Sequence, residues 1–129
     1  MEPLSEEQTG RLVVIVTDLA RQGRTEELLE FFDHGLPVDV QDAEGNTALM
    51  LAAYHGHTDT VRALIGRGAD VDLRNGRDQS PVAGALFKGE DAIVGALIAA
   101  GADLDAGTPS ARAAAEMFGR TALLGQQMP

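Results

Sequence analysis

Histidines, hydroxyls and paired carboxylates are the residues of this 129-residue chain whose types could do chemistry. His55-x-His57 with Asp59 invites a metal site. Two histidines at i and i+2 on a helix terminus do not face each other, however, and no third neutral ligand is evident. His34 fits a solvated helix-end residue. Thr47 and Ser80 could be nucleophiles, yet neither has a histidine and carboxylate set arranged around it, and both are explained as helix N-caps. Glu6-Glu7, Glu26-Glu27 and Glu90-Asp91 sit at helix starts, where negative charge complements the helix dipole. Gly66-Arg67-Gly68 lacks the lysine of a phosphate loop. With no cysteine there is no disulfide, thiolate or Cys-based metal site. The expectation is therefore no catalytic residue, no cofactor and no metal.

The elements that would position these residues repeat. In 42–74, Asp42, Glu44 and Gly45 supply a turn, Thr47 a cap, and Leu49, Ala52 and Ala53 one helical face. Gly56 breaks that helix, Val61, Leu64 and Ile65 form a second face, and Gly68 suits its C-terminal stop. Gly23, Gly56 and Gly89 are spaced by 33, as are Gly35, Gly68 and Gly101. Laying 75–107 over 42–74 gives ten identities in 33 positions, among them Ala52 with Ala85 and Leu64-Ile65 with Leu97-Ile98. A unit of one turn and two short helices cannot cover its own apolar face, so it must stack on copies of itself.

Thr47-Ala48-Leu49, Leu51-Ala52-Ala53, Gly56-His57 and Gly68-Ala69-Asp70-Val71 resemble the ankyrin repeat, from about Thr9 onward. The chain as a whole is similar to a small stand-alone bacterial ankyrin array. The resemblance implies an all-α helix-turn-helix solenoid of about four repeats with degenerate terminal capping repeats. It also implies that the ring of His57 bridges neighbouring repeats.

Taken in order, residues 1–8 read as a flexible lead-in and 9–41 as an N-terminal cap repeat with helices over Arg11–Gln22 and Thr25–Asp33. Leu12, Ile15, Val16, Leu19 and Ala20 would line the inner face of the first helix, and Leu28, Leu29, Phe31 and Phe32 cluster on the second. Repeat 75–107 opens its helix with Ser80-Pro81, a cap and a proline at the first helical position. Gly84 inside that helix suggests close approach of a neighbour or partner, and Asp91–Ala99 is the outer helix. Unit 108–129 is shortened, since Gly89 to Gly119 is 30 residues. It reads as a C-terminal cap with helices over Ser110–Phe118 and Thr121–Gln126, the polar pair Gln126-Gln127 standing where earlier units are apolar.

Composition narrows the partners. Ten basic residues against 20 acidic give a formal charge of −10, which disfavours nucleic acid and anionic membrane. The N-terminus shows no signal-peptide pattern, and the apolar run Leu12–Val16 is too short to span a bilayer. A cytoplasmic protein is expected.

In protein-binding members of the family, the turn tips and inner helices of the concave face make the contact. The positions here that interrupt the apolar pattern are Gln41, Glu44, Asn46, Arg74, Arg77 and Gln79 on the turns. At the inner-helix ends they are Arg21-Gln22, Tyr54-His55, Phe87-Lys88 and Met117-Phe118. Tyr54, Phe87 and Met117-Phe118 would form a row flanked by cations, and aromatic and arginine side chains are common interface anchors. Alternatively, Tyr54 and Phe87 pack across the helix–helix turn. The expected function is a non-catalytic protein-binding module, an adaptor, inhibitor or protector, monomeric and bound to another protein. Arg21, Arg74, Arg77 and Lys88 on an acidic molecule suggest a locally acidic partner surface. The rivals are a homo-oligomer closed by the aromatic row and a small-molecule binder or enzyme with its site on the concave face.

Overall fold

A computed structural model of the protein describes residues 4–125. Among the described residues the regular elements are eight α-helices: α1 Glu6–Gln22, α2 Thr25–Asp33, α3 Ala48–Tyr54, α4 Thr58–Gly66, α5 Pro81–Phe87, α6 Asp91–Ala99, α7 Ala111–Met117 and α8 Thr121–Gly125. Helices α1, α3, α5 and α7 stack in sequence as an inner layer, and α2, α4, α6 and α8 as an outer one. The inner helices α3, α5 and α7 have seven residues each, about two turns. Such helices are unstable alone and depend on tertiary packing.

That packing is a continuous seam of small and branched residues. Ala20, Ala52, Ala53, Ala85 and Ala115 are buried between inner helices, while Leu28, Val61, Leu64, Val94 and Leu97 fill the space beneath the outer ones. Alanine at the inner crossings lets neighbouring helices approach closely, and the leucines behind them supply the buried apolar area.

Each short inner helix starts from a hydroxyl cap. Thr47, Ser80 and Ser110 accept from the backbone N–H of Met50, Ala83 and Ala113 at 3.1, 3.2 and 3.1 Å. Thr47 and Ser80 are 1% exposed, so their hydroxyls face the helix ends and not solvent. Pro81 occupies the first helical position behind Ser80, as its sequence position indicates.

Repeats are also tied laterally. His57 Nε2 donates to the carbonyl of Arg21 at 2.6 Å, joining the second repeat to the first. Gly23 makes this possible: it has φ +70°, and a Cβ there would lie 2.4 Å from His57 Nδ1. On the outer layer, Arg67 pairs with Asp33 and Arg120 with Asp91. Along the turns, Asp39 accepts from Asp70 N–H at 2.9 Å, and Asp72 repeats this with Asp103 N–H at 2.7 Å.

The first repeat corrects the sequence reading. Helix α1 begins at Glu6, inside the stretch assigned to a lead-in and five residues before Arg11. Ser5 and Gln8 form a reciprocal capping box that starts it there. The long helix thereby occupies the place of the turn finger that precedes α3 and α5. Its buried face is Val13, Val16, Thr17, Leu19 and Ala20; Ile15 is exposed. The face is turned because Thr17 hides its hydroxyl by donating to Val13 O at 2.9 Å, which lets it sit where a purely apolar count would not place it. At the other end, α8 is described from Thr121 to Gly125, and Gln126-Gln127 lie outside the described residues.

Candidate functional site

The concave face is built from the C-terminal ends of the inner helices and the turns beside them. Tyr54, Phe87 and Met117 occupy equivalent positions on α3, α5 and α7, and all three are exposed, by 39%, 62% and 69%. Phe118, the residue after α7, is exposed by 43%. Tyr54 packs on His55 at the start of its own helix–helix turn and also reaches beyond it. Tyr54 leans toward the next repeat, where a Cβ on Gly84 would stand 3.7 Å from its Cδ1. Phe87 meets Phe118 edge to face, with centroids 5.8 Å apart. The row is continuous because Tyr54 and Phe87 each reach to the following repeat.

Two hollows flank Tyr54. One, about 380 Å³, is lined by Ala83, Gly84, Phe87, Ala114, Met117 and Phe118, with Thr108 and Pro109 at its edge. It is mostly apolar. The other, about 300 Å³, is lined by Arg21, Glu44, Met50, His55, Asn75 and Arg77, among others, and is more polar than the first, with polar and apolar surface in about equal measure. Tyr54 and Gln79 line both.

The turn tips that form the rim are rigidly tied. Asp42 Oδ1 accepts from the N–H of Glu44 and Asn46, each at 2.9 Å, and Asn75 Oδ1 repeats the arrangement with Arg77 and Gln79 at 3.0 Å. Adjacent tips are joined by Gly76 N–H to Glu44 O at 2.9 Å and Thr108 N–H to Asp78 O at 2.8 Å. A Cβ on Gly45 would fall 2.6 Å from Gly76 N, so the close stacking needs glycine.

These ties divide the candidate residues. Gln41 donates to the carbonyls of Gly45 and Arg74, Asn46 and Gln79 accept from Asn75 Nδ2, and Arg74 pairs with Asp78 at 2.9 Å. Arg21 pairs with Asp18 at 2.8 Å and lies 3.8 Å from Asp42. These five serve the scaffold. Arg77 and Lys88 make no ion pair among the described residues. Lys88 instead places its ammonium 4.8 Å from the centre of the Tyr54 ring, a cation–π contact. Gln22 and Glu44 are exposed.

His55 packs its edge on Tyr54, centroids 5.7 Å apart. Its pKa is held below the ordinary histidine value by partial burial first, then by the positive charges of Arg21, His57 and Lys88. The field at this spot is positive although the molecule is acidic.

Residues 17–108 match the profile of the ankyrin repeat family, in three copies. The chain belongs to the ankyrin repeat family. Members of this family are generally protein–protein interaction modules and generally not enzymes. The ankyrin repeat protein PA3287 of Pseudomonas aeruginosa is 44% identical over 50 residues, which cover 39% of this chain and 29% of that protein. The solved human ASB11 ankyrin repeat domain superposes with a TM-score of 0.65 at 27% identity, over 69% of this chain and 40% of that domain. The matched part of this ankyrin array thus spans well under half of either relative's length. No helix among the described residues is long and apolar enough to cross a membrane.

The ankyrin register located the aromatic row but not the floor of its hollow. Gly84 reads in sequence as a point of close approach for a neighbour or partner, and with Ala83 and Ala114 it lines the space between Tyr54, Phe87 and Met117. Their small size at concave positions was the available signal: it leaves room that a larger side chain would fill.

Proposed function

We propose that this protein is a non-catalytic binder of another protein, acting as an adaptor, inhibitor or protector through the concave face. The observation that carries this reading is the row Tyr54, Phe87, Met117 and Phe118, which leaves large apolar groups in water on a rigid surface. Apolar area kept exposed at a concave position contributes nothing to the fold, whereas covering it would yield about 25 cal/mol per Å² before the costs of association. Arg77, Lys88, Gln22, His55 and Glu44 supply a polar rim, the usual surround of an apolar interface core. The reading includes a monomeric protein working in the cytoplasm, with neither nucleic acid nor membrane as its target.

Affinity capture tests it. Native protein is run beside a Tyr54→Ala/Phe87→Ala variant, both shown to be folded by circular dichroism. A protein retained by the first and lost by the second supports the reading. Equal retention by both moves the interface elsewhere.

A further inference from the structure

The two hollows differ in chemistry and share a wall, and this specifies the partner more closely. Resting on the reading above, we propose that the partner inserts one extended segment bearing an apolar side chain and, about three residues away, a carboxylate. The apolar side chain enters the hollow between Phe87, Met117 and Phe118, whose floor of Ala83, Gly84 and Ala114 leaves space for a leucine- or phenylalanine-sized group. The carboxylate faces the polar hollow, where Arg77 is unpaired among the described residues and Arg21 and His55 stand beside it.

Spacing follows from geometry. Packed helices lie about 8–10 Å apart, and an extended chain advances about 3.3 Å per residue. One repeat step therefore corresponds to about three residues. Tyr54, which borders both hollows, marks the crossing, with Lys88 above its ring.

The net charge of −10 opposes an acidic partner at long range, but the Debye length at physiological salt is about 8 Å. Inside that distance the nearest charges decide. Glu44 also lines the polar hollow and is opposed there by Arg77, since Arg21 is held by Asp18 and Asp42. The His55 pKa is lowered first by partial burial and, after that, by the positive charges of Arg21, His57 and Lys88.

The test is a phage-displayed random dodecapeptide library selected on the whole native protein. Enriched peptides are expected to pair Leu, Phe or Met with Asp or Glu at a spacing of about three. A fluorescein-labelled synthetic copy of the dominant peptide then reports affinity by anisotropy. Phe87→Ala/Met117→Ala is expected to weaken it about tenfold or more, the size of an interface hot spot. Arg77→Glu is expected to weaken it about tenfold, and replacing the peptide's acid by lysine is expected to restore binding to that variant. Loss on Phe87→Ala/Met117→Ala without loss on Arg77→Glu would overturn the paired recognition while leaving concave-face binding intact. No enrichment, or binding indifferent to both variants, would also overturn it. All the substituted side chains are exposed, and circular dichroism verifies that each variant is folded.

Discussion

Phe87 and Phe118 lie on successive repeats, 31 residues apart, and their rings meet at an interplanar angle of 66° while both remain open to solvent. An edge-to-face pair contributes about 0.5–1.5 kcal/mol when buried. Here the rings shield each other only in part, so Phe87→Ala is expected to lower stability by less than about 1 kcal/mol. Thermal and urea unfolding of that variant should stay close to those of the native protein, while partner capture is lost. A large stability loss would mean that the row belongs to the core.

The tie between the first two repeats gives a second expectation. His57→Ala leaves the Arg21 carbonyl without its donor and should cost about 1–3 kcal/mol. Gly23→Ala meets both a left-handed backbone and the His57 ring, and should cost more than about 1 kcal/mol. Since the ring is half of that conflict, the two changes should be non-additive. Urea melts of the four proteins of the double-mutant cycle measure the coupling, and strict additivity would show that the two residues act independently.

Gly84 should behave in the opposite way. Its backbone is helical, and an added Cβ meets Tyr54 Cδ1 at 3.7 Å, an ordinary contact. Gly84→Ala is therefore expected to raise stability by up to about 1 kcal/mol, the helix-propensity difference. The same methyl narrows the apolar hollow, so partner affinity should fall as melting temperature rises.

His55 provides a pH signature. NMR titration of its ring is expected to give a midpoint below the ordinary value of about 6.5. Lys88→Ala should move that midpoint upward by removing one of the positive neighbours. The sign for stability follows from linkage: below about pH 6.5 the unfolded chain takes up this proton more readily than the folded one, so the contribution of His55 is complete above that pH and declines as pH falls through it. A bound carboxylate in the polar hollow would raise the midpoint.

Most of this architecture was legible in the spacing of a few residues. Thr47 and Ser80 announced their helices because a hydroxyl cap is a local device, decided within four residues. The outer helices Thr25–Asp33 and Asp91–Ala99 were bounded by glycine and acidic residues and fall where the pattern places them. The start of α1 was not legible, because the Ser5–Gln8 capping box lies in a polar stretch with no apolar period to draw attention to it. Ile15 was misplaced on the buried face because Thr17, satisfied by its own helix, takes a core position. At the site, the row of Tyr54, Phe87, Met117 and Phe118 was readable from register alone. The capture of Gln41, Asn46 and Arg21 by neighbouring turns was not, since those partners lie on the adjoining finger.

Site-specific photo-crosslinking tests the concave-face account most directly. A benzophenone amino acid replaces Phe87 or Met117 on the concave face, or Arg62 on the outer helix α4, in the source cell. Crosslinks to the same heterologous protein from positions 87 and 117, and none from 62, are the predicted result. Crosslinks from 62 alone, or only to a second copy of this chain, would contradict it.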